Sequence, residues 1–409
     1  MNAGDLLTRL SGAHRRRAPL RALLLVVRHM PGWSRLPYAL RLHASGFAAP
    51  GEVWGTLPDT ATRTVLIASH ELTASGAPRL AVEVARACLA RGWGVVVVTG
   101  EDGAFRQPLV ELGAVVIATP TALSRRSPVF ALAPHADALV CNTLVTLGLA
   151  RRRPPVPTAW YLHETGLIDE IGRDAEIGEA VAAVDQLWAS SPLVARAIGR
   201  FGREAVVVGG TGDPPPSTAP LPRRVPLEAV VLGGFEPRKG QLALAQAYTA
   251  LPVEQRARLR ITFHGRVVDP DYHAAVRAAL VPGLADGGLL RSDAAARAVA
   301  DANAAIVPSA DEPLSLVAVD AMAAGRVVLC SRACGIADYL DDGVSGFVGA
   351  DGSPDALMEL LTRALANSDC WPAIGEAGRA VWAAEFAPDV YAARVADGIA
   401  AMMRPVALG

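Results

Sequence analysis

From Thr64 onward the chain alternates short β-branched and small apolar runs with longer segments of mixed polarity. TVLIAS (64–69), GVVVVTG (94–100), AVVIATP (114–120), DALVCNT (137–143), TAWYLHE (158–164), DQLWASS (185–191) and EAVVVGG (204–210) read as strands. They are near-continuous apolar runs rather than two-residue alternations, the pattern of strands covered on both faces. Between the first two, GAPRLAVEVARACLARG (76–92) has helical spacing and ends at Gly92. Repeated strand and helix of this kind predict a parallel sheet with helices on both sides.

The rhythm stops at TGDPPPSTAPLPRRVPLE (211–228), whose six prolines read as a semi-rigid linker. It resumes with AVVLGG (229–234), RITFHG (260–265), AAIVPS (304–309), RVVLCS (326–331) and GFVG (346–349). The expected fold is therefore α/β, with two doubly wound, Rossmann-like domains over 62–212 and 229–385 and the Pro-rich linker at 213–228. VYAARVADGIAAMM (390–403) has helical periodicity, so the tail 386–409 is expected to be a helix crossing back. Open parallel sheets bind ligands beyond the carboxyl ends of their strands, which puts the expected site in a cleft across which the two sheets face each other.

Composition narrows the class. A chain of 409 residues has room for two domains, and 39 basic side chains stand against 40 acidic ones. That balance describes a soluble globular enzyme and excludes a disordered or nucleic-acid-binding chain. The five cysteines are scattered, and Cys330 and Cys334 lie four apart with no histidine cluster. They read as reduced thiols of a cytoplasmic protein rather than a zinc site.

Residues 1–61 form an N-terminal extension, and its first 50 hold eight arginines and one acid, Asp5. The apolar run Ala22–Val27 is far short of the roughly 20 residues that span a bilayer, and no small-residue cleavage site follows it. Two readings stay open. The extension is a basic amphipathic surface that attaches the protein to an anionic membrane face, or it is an arginine-rich helical segment packed on the body.

Three loops at strand ends carry candidate chemistry. The first, SHELTASGAPRLA (69–81), opens a helix at Gly76 and Ala77, whose amides suit a phosphate. It lacks the G-x-G-x-x-G fingerprint of dinucleotide folds. The second, GGFEPRKGQ (233–241), contains Lys239, the only lysine of the chain. Arg238 and Gly240 flank it, which excludes a Walker A motif. A compact ammonium at a strand's carboxyl end suits oxygens approached from one direction, as on a diphosphate. The third, PSADEPLSLVAVDAMAAGRVVLCS (308–331), places Glu312 before a helix that starts near Leu314 or Ser315, with Asp320 inside it. At ~1.5 Å per residue the two carboxylates stand roughly 8 to 12 Å apart, one for each end of an extended ligand. The amides of Leu314, Ser315 and Leu316 would face the anion between them. A nucleotide diphospho-sugar fits this set.

EPLSLVAVDAMAAG followed by CGIADYLDDGVSGFV resembles the nucleotide-sugar site of the retaining glycosyltransferases of the GT-B fold, in family four. RKGQ, SHELTASGAP, CNTLVT and WYLHE fall where that family carries its other motifs, and the likeness covers about residues 62 to 400. It implies that Glu312 and Pro313 meet the donor sugar and that Asp320 holds the ribose. It also implies that Lys239, the Gly76–Ala77 turn and residues 314 to 316 cradle the diphosphate, and that His163 of WYLHE lies beside the reacting sugar. Family members need no metal ion, so no cofactor is expected beyond the nucleotide-sugar co-substrate. The acceptor is expected to be a saccharide, a lipid-linked sugar or a small molecule.

Two positions depart from the family pattern. Asp320 stands where a glutamate is usual, one methylene short. Gly234 stands where many members carry an arginine on the diphosphate; Arg238 and Arg266 are the candidates to replace it. Asp269-Pro270-Asp271 resembles the metal-binding pair of other glycosyltransferases but reads better as a helix cap. The alternatives to a retaining transferase are a sugar-nucleotide epimerase or small-molecule transferase of the same fold, and a non-catalytic nucleotide-sugar-binding partner of another transferase.

Overall fold

The computed structural model describes residues 52–212 and 225–403. The basic segment 1–51, the proline-rich stretch 213–224 and residues 404–409 lie outside them, so the expected membrane-attaching surface and most of the expected linker are not described. No helix among the described residues is long and apolar enough to cross a membrane.

The chain divides into two compact units. One holds the described part of residues 1–189 with 197–208 and the chain from Ala392; the other holds 190–196 and 209–391. The first unit contains β1 (Glu52–Trp54), β2 (Thr64–Glu71), β3 (Gly94–Glu101), β4 (Val115–Ala118), β5 (Ala138–Asn142), β6 (Thr158–Leu162), β7 (Gln186–Ala189) and β8 (Val206–Val207), in the order β1-β4-β3-β2-β5-β6-β7-β8. All neighbours are parallel except β1 and β4. The second unit contains β9 (Leu227–Leu232), β10 (Leu259–His264), β11 (Leu284–Asp286), β12 (Ala304–Val307), β13 (Val327–Ser331) and β14 (Phe347–Gly349), in the parallel order β11-β10-β9-β12-β13-β14.

The apolar runs become strands because both sheet faces are buried. Val65, Leu66, Ile67 and Ala68 of β2 are at most 1% exposed, which leaves no polar face to alternate with. The helices used below are α1 (Gly76–Ala90), α2 (Gln241–Ala250), α3 (Pro270–Ala278), α4 (Leu316–Ala323) and α5 (Pro388–Met402). Asp269 is the N-cap of α3, its Oδ1 accepting from the amides of Asp271 and Tyr272 at 3.0 Å, which bears out the capping reading of that Asp-Pro-Asp. From Ala392 onward α5 belongs with the first unit, where Gln186 donates to the carbonyl of Gly398.

The apolar pattern missed β1 and β11, strands of three residues each. β1 runs antiparallel on the sheet edge and lies within the stretch read as an extension; its half-buried residues give it no apolar run. β11 ends at Asp286, where Gly287 and Gly288 follow. All five cysteines are unpaired; burial pushes Cys88, Cys141 and Cys334 up to about 12, so these thiols stay protonated and inert.

Strand order fixes where chemistry can gather. In each sheet the winding direction reverses at one place, between β2 and β5 in the first unit and between β9 and β12 in the second. The loops leaving those strands diverge to opposite faces and open a crevice at the carboxyl edge. The SHELTASGAP and CNTLVT segments leave β2 and β5, while the Lys239 and Glu312 loops leave β9 and β12.

Candidate functional site

In the second unit, β9 ends in a two-glycine turn and then a single 3-10 turn, Pro237–Lys239, before α2. Gln241, 1% exposed, donates to the carbonyl of Gly234 at 2.9 Å and ties this loop down. Gly240 has φ +71°, and a Cβ there would stand 2.2 Å from the carbonyl oxygen of Pro308. Only glycine allows both the left-handed turn and that approach of the two loops. Ala310 N completes the junction by donating to Arg238 O at 2.9 Å.

That junction brings Lys239 onto Glu312. The lysine ammonium donates to Glu312 Oε2, with Ser309 Oγ 3.4 Å from the same oxygen, and the two side chains are 16% and 14% exposed. A pair this enclosed is costly to break from one side, about 3–5 kcal/mol. An exposed pair such as Arg238 with Glu236 (2.7 Å) contributes ~1 kcal/mol or less. Glu312 is held through its backbone as well: its amide donates to Ala333 O at 3.2 Å, and its carbonyl accepts from Gly335 N at 2.8 Å.

Downstream, Pro313 and buried Leu314 lead into Ser315, which caps α4 by accepting from Ala318 N at 3.3 Å. Ser315 has φ +74° and ψ 91°, a conformation costing about 1–3 kcal/mol in a residue with a Cβ. The amides of Leu316 and Val317 have no partner within the helix, so the start of α4 is an anion-favouring end. Asp320 is half-buried on α4 with its carboxylate against the backbone of Gly212.

At Gly234, a Cβ would stand 2.7 Å from Val268 Cγ2 and 3.8 Å from Arg266 Cγ. The space a side chain would need there is therefore filled from the β10 loop. Of the two candidate replacements, Arg238 is engaged, pairing with Glu236 and donating to Asp311 O at 3.3 Å. Arg266 is exposed beside Gly234 and has no ion-pair partner among the described residues.

In the first unit, three of the quoted motifs converge. His163, just after β6, hydrogen-bonds through Nε2 to Asn142 Oδ1 at 2.7 Å, and Asn142 Nδ2 donates to Ala77 O at 3.1 Å. Because the Asn142 amide nitrogen faces a carbonyl, its oxygen faces His163, so Nε2 carries the imidazole proton. Burial, reinforced by nearby His70, lowers the His163 pKa to about 3, and the ring is neutral at pH 7. Its Nδ1 is buried and has no hydrogen-bond partner among the described residues. Glu164 accepts from Leu144 N (3.0 Å) and His163 N (2.9 Å); burial raises its pKa, opposed by those amides.

The structure thus joins Lys239 with Glu312, places Arg266 by Gly234, and lines Pro313, Leu314, Ser315 and Leu316 along the start of α4. It sets Ala77 and His163 on one network in the first unit, with Gly76 beside Ala77 at the start of α1. Sequence reasoning passed over Gln241, Ser309 and Asn142 as contributors. All three lay inside segments already quoted, but the partners of Asn142, Ala77 and His163, are on other loops that only the fold brings near.

Residues 227–367 match the family described as glycosyl transferases group 1, and residues 61–165 match glycosyl-transferase family 4, between them more than half of the chain. A lipopolysaccharide 1,2-N-acetylglucosaminetransferase of Salmonella typhimurium is 41% identical over 70 residues, 17% of this chain and 18% of that one. The chain spans about a fifth of the length of the curated relatives it matches. Among solved structures, the Anabaena HepE protein in complex with UDP-glucose superposes with a TM-score of 0.69 at 18% identity, over 83% of this chain and 100% of that one. Sucrose-phosphate synthase from Thermosynechococcus elongatus gives 0.68 at 18% identity, over 83% and 98%. At these identities the likeness is one of fold.

Two outcomes check the geometry. Gly240→Ala should lower stability by at least about 2 kcal/mol in urea unfolding, since it meets both the left-handed penalty and the Pro308 carbonyl. His163 titrates near 6.5 when unfolded but only near 3 when folded. Between those values the unfolded chain holds a proton the native one lacks, so acidification costs about 1.4 kcal/mol per pH unit. His163→Gln should remove that increment from the pH dependence measured between pH 7 and 4.

Proposed function

Because this chain belongs to the group 1, family 4 glycosyl transferases and has their GT-B fold, we propose that it moves a sugar from a nucleotide diphospho-sugar to a hydroxyl group with retention of configuration and without a metal ion. The observation that carries this reading is Lys239 meeting Glu312 at the reversal point of the second sheet. A carboxylate for sugar hydroxyls lies against a cation for phosphate, beside a helix start that favours an anion.

On donor binding Glu312 accepts hydroxyls of the sugar, and Asp320 holds the ribose. Lys239, Arg266 and the amides from Leu314 to Leu316 meet the diphosphate. As the bond between the anomeric carbon and the phosphate oxygen breaks, negative charge grows on the diphosphate, and these fixed donors stabilise it there. The acceptor oxygen bonds to the anomeric carbon on the face the phosphate leaves, and its proton passes to a phosphate oxygen. His163, neutral and fixed by Asn142, positions groups beside the reacting sugar rather than carrying a proton.

The crystallised complex of the Anabaena protein with UDP-glucose supports a nucleoside diphosphate donor. The Salmonella relative, named for a lipopolysaccharide acceptor, supports a saccharide or lipid-linked one. A cytoplasmic location is proposed, with the basic N-terminal 50 residues attracted to the anionic inner face of the membrane.

A thermal-shift screen against uridine, guanosine, adenosine and thymidine diphospho-sugars, with and without EDTA, tests this. One nucleotide should raise the Tm by several degrees, since a ligand at 100 times its Kd adds about 2.7 kcal/mol, and EDTA should not change the result. No shift with any of the four would count against the donor site. In calorimetric titrations with the selected nucleoside diphosphate, Arg266→Ala should weaken binding about 10-fold or more, and Arg238→Ala less than about 3-fold.

A further inference from the structure

The reversal point of the first sheet holds a group that donor binding does not use. β2 ends in His70 and Glu71, and the Glu71 carboxylate is gathered by the loop that follows. Its Oε1 accepts from Thr73 Oγ1 at 2.7 Å and Ser75 Oγ at 3.1 Å, and faces His70 Nε2 at 3.5 Å. Burial pushes its pKa up, but the His70 imidazole and the Thr73 and Ser75 hydroxyls outweigh that and hold it at about 2. The carboxylate is therefore ionised at any physiological pH. Its side chain is 23% exposed, and among the described residues no donor reaches Oε2.

The surroundings are built to keep it in place. His70 Nδ1 lies 3.3 Å from Thr143 Oγ1, across the reversal point. Thr143 is fully buried at φ +80°, a genuine outlier for a β-branched residue. Its carbonyl is fixed there by Trp160 Nε1 at 2.9 Å and Thr146 Oγ1 at 2.7 Å. Backbone strain held by surrounding bonds concentrates where positions must be exact to function. The same cluster contains His163 with its buried, unpartnered Nδ1.

A fixed anion with one unclaimed oxygen accepts hydrogen bonds and repels other anions. It cannot serve the diphosphate. In a transferase, the other reactant bearing donors is the acceptor, through its hydroxyls. We infer that Glu71 selects the acceptor: its Oε2 takes a hydroxyl of a neutral sugar and turns away acceptors carrying a carboxylate in that place. This rests on the transferase reading above and adds the charge class of the acceptor. Glu71 is a specificity-determining residue, with His70, Thr73 and Ser75 as its positioning residues.

The test compares binding of methyl glucoside and methyl glucuronide by saturation-transfer NMR, with and without UDP, in wild type, Glu71→Gln and Glu71→Ala. Glutamine keeps an acceptor for Thr73 and Ser75 but removes the charge. Wild type should bind the glucoside at least about 10-fold more tightly than the glucuronide, equivalent to ~1.4 kcal/mol. Glu71→Gln should bring the ratio within about 3-fold at unchanged Tm and UDP affinity. A wild type that binds neither sugar or does not discriminate would overturn the inference. So would a Glu71→Gln variant that still discriminates, or one whose losses follow UDP affinity or Tm as closely as those of Glu71→Ala. Failure of UDP to bind would strike a uridine donor alone, and the arm without UDP would still decide the role of Glu71.

Discussion

The organisation of the second unit turns on one ion pair. Lys239 and Glu312 lie 73 positions apart, on loops leaving β9 and β12, the two strands between which the sheet reverses direction. Parallel order sends those loops away from each other, so only a specific junction brings them together. Gly240 against Pro308 is that junction, and Gln241 and Ser309 hold the two partners at its rim. The pair cancels its own charge. In the proposed reading, a ligand that offers hydroxyls to Glu312 and phosphate oxygens to Lys239 replaces that mutual contact with two separate ones.

The same logic explains why Arg266 matters. With Lys239 sharing its charge with Glu312 and Arg238 paired with Glu236, the uncommitted guanidinium by the turn is Arg266. Val268 occupies the space that a side chain at Gly234 would take, so the arrangement is a consistent alternative packing rather than a missing part. In the first unit the corresponding reversal point is negative. Glu71 is held ionised there, while His163 is held neutral. The two sheets share a topology, yet one reversal point offers cations and a helix start and the other an open carboxylate.

Much of this was legible in the sequence. Near-continuous apolar runs identified twelve of the strands, because strands buried on both faces leave a pattern that survives without tertiary information. β1 and β11 were not legible, because neither lies in an apolar β-branched run. The solitary lysine and the Glu312 loop marked the candidate donor site through residue type and position at strand ends. That Lys239 and Glu312 touch could not be read, since it depends on the Gly240–Pro308 approach. The partners of His163 and the ionised state of Glu71 were equally hidden. Each rests on hydrogen bonds made by ordinary Asn, Thr and Ser side chains, whose roles appear only when the loops are folded.

The proposed transfer depends on Lys239 meeting the leaving diphosphate as a compact ammonium, where a planar guanidinium would be a poor substitute. The most direct measurement is kcat/KM of Lys239→Arg with the donor selected by binding. The account predicts a loss of at least about 100-fold, ~2.7 kcal/mol of transition-state stabilisation, with the fold intact by circular dichroism. A variant within about 3-fold of wild type would contradict it and make Lys239 a structural partner of Glu312 alone.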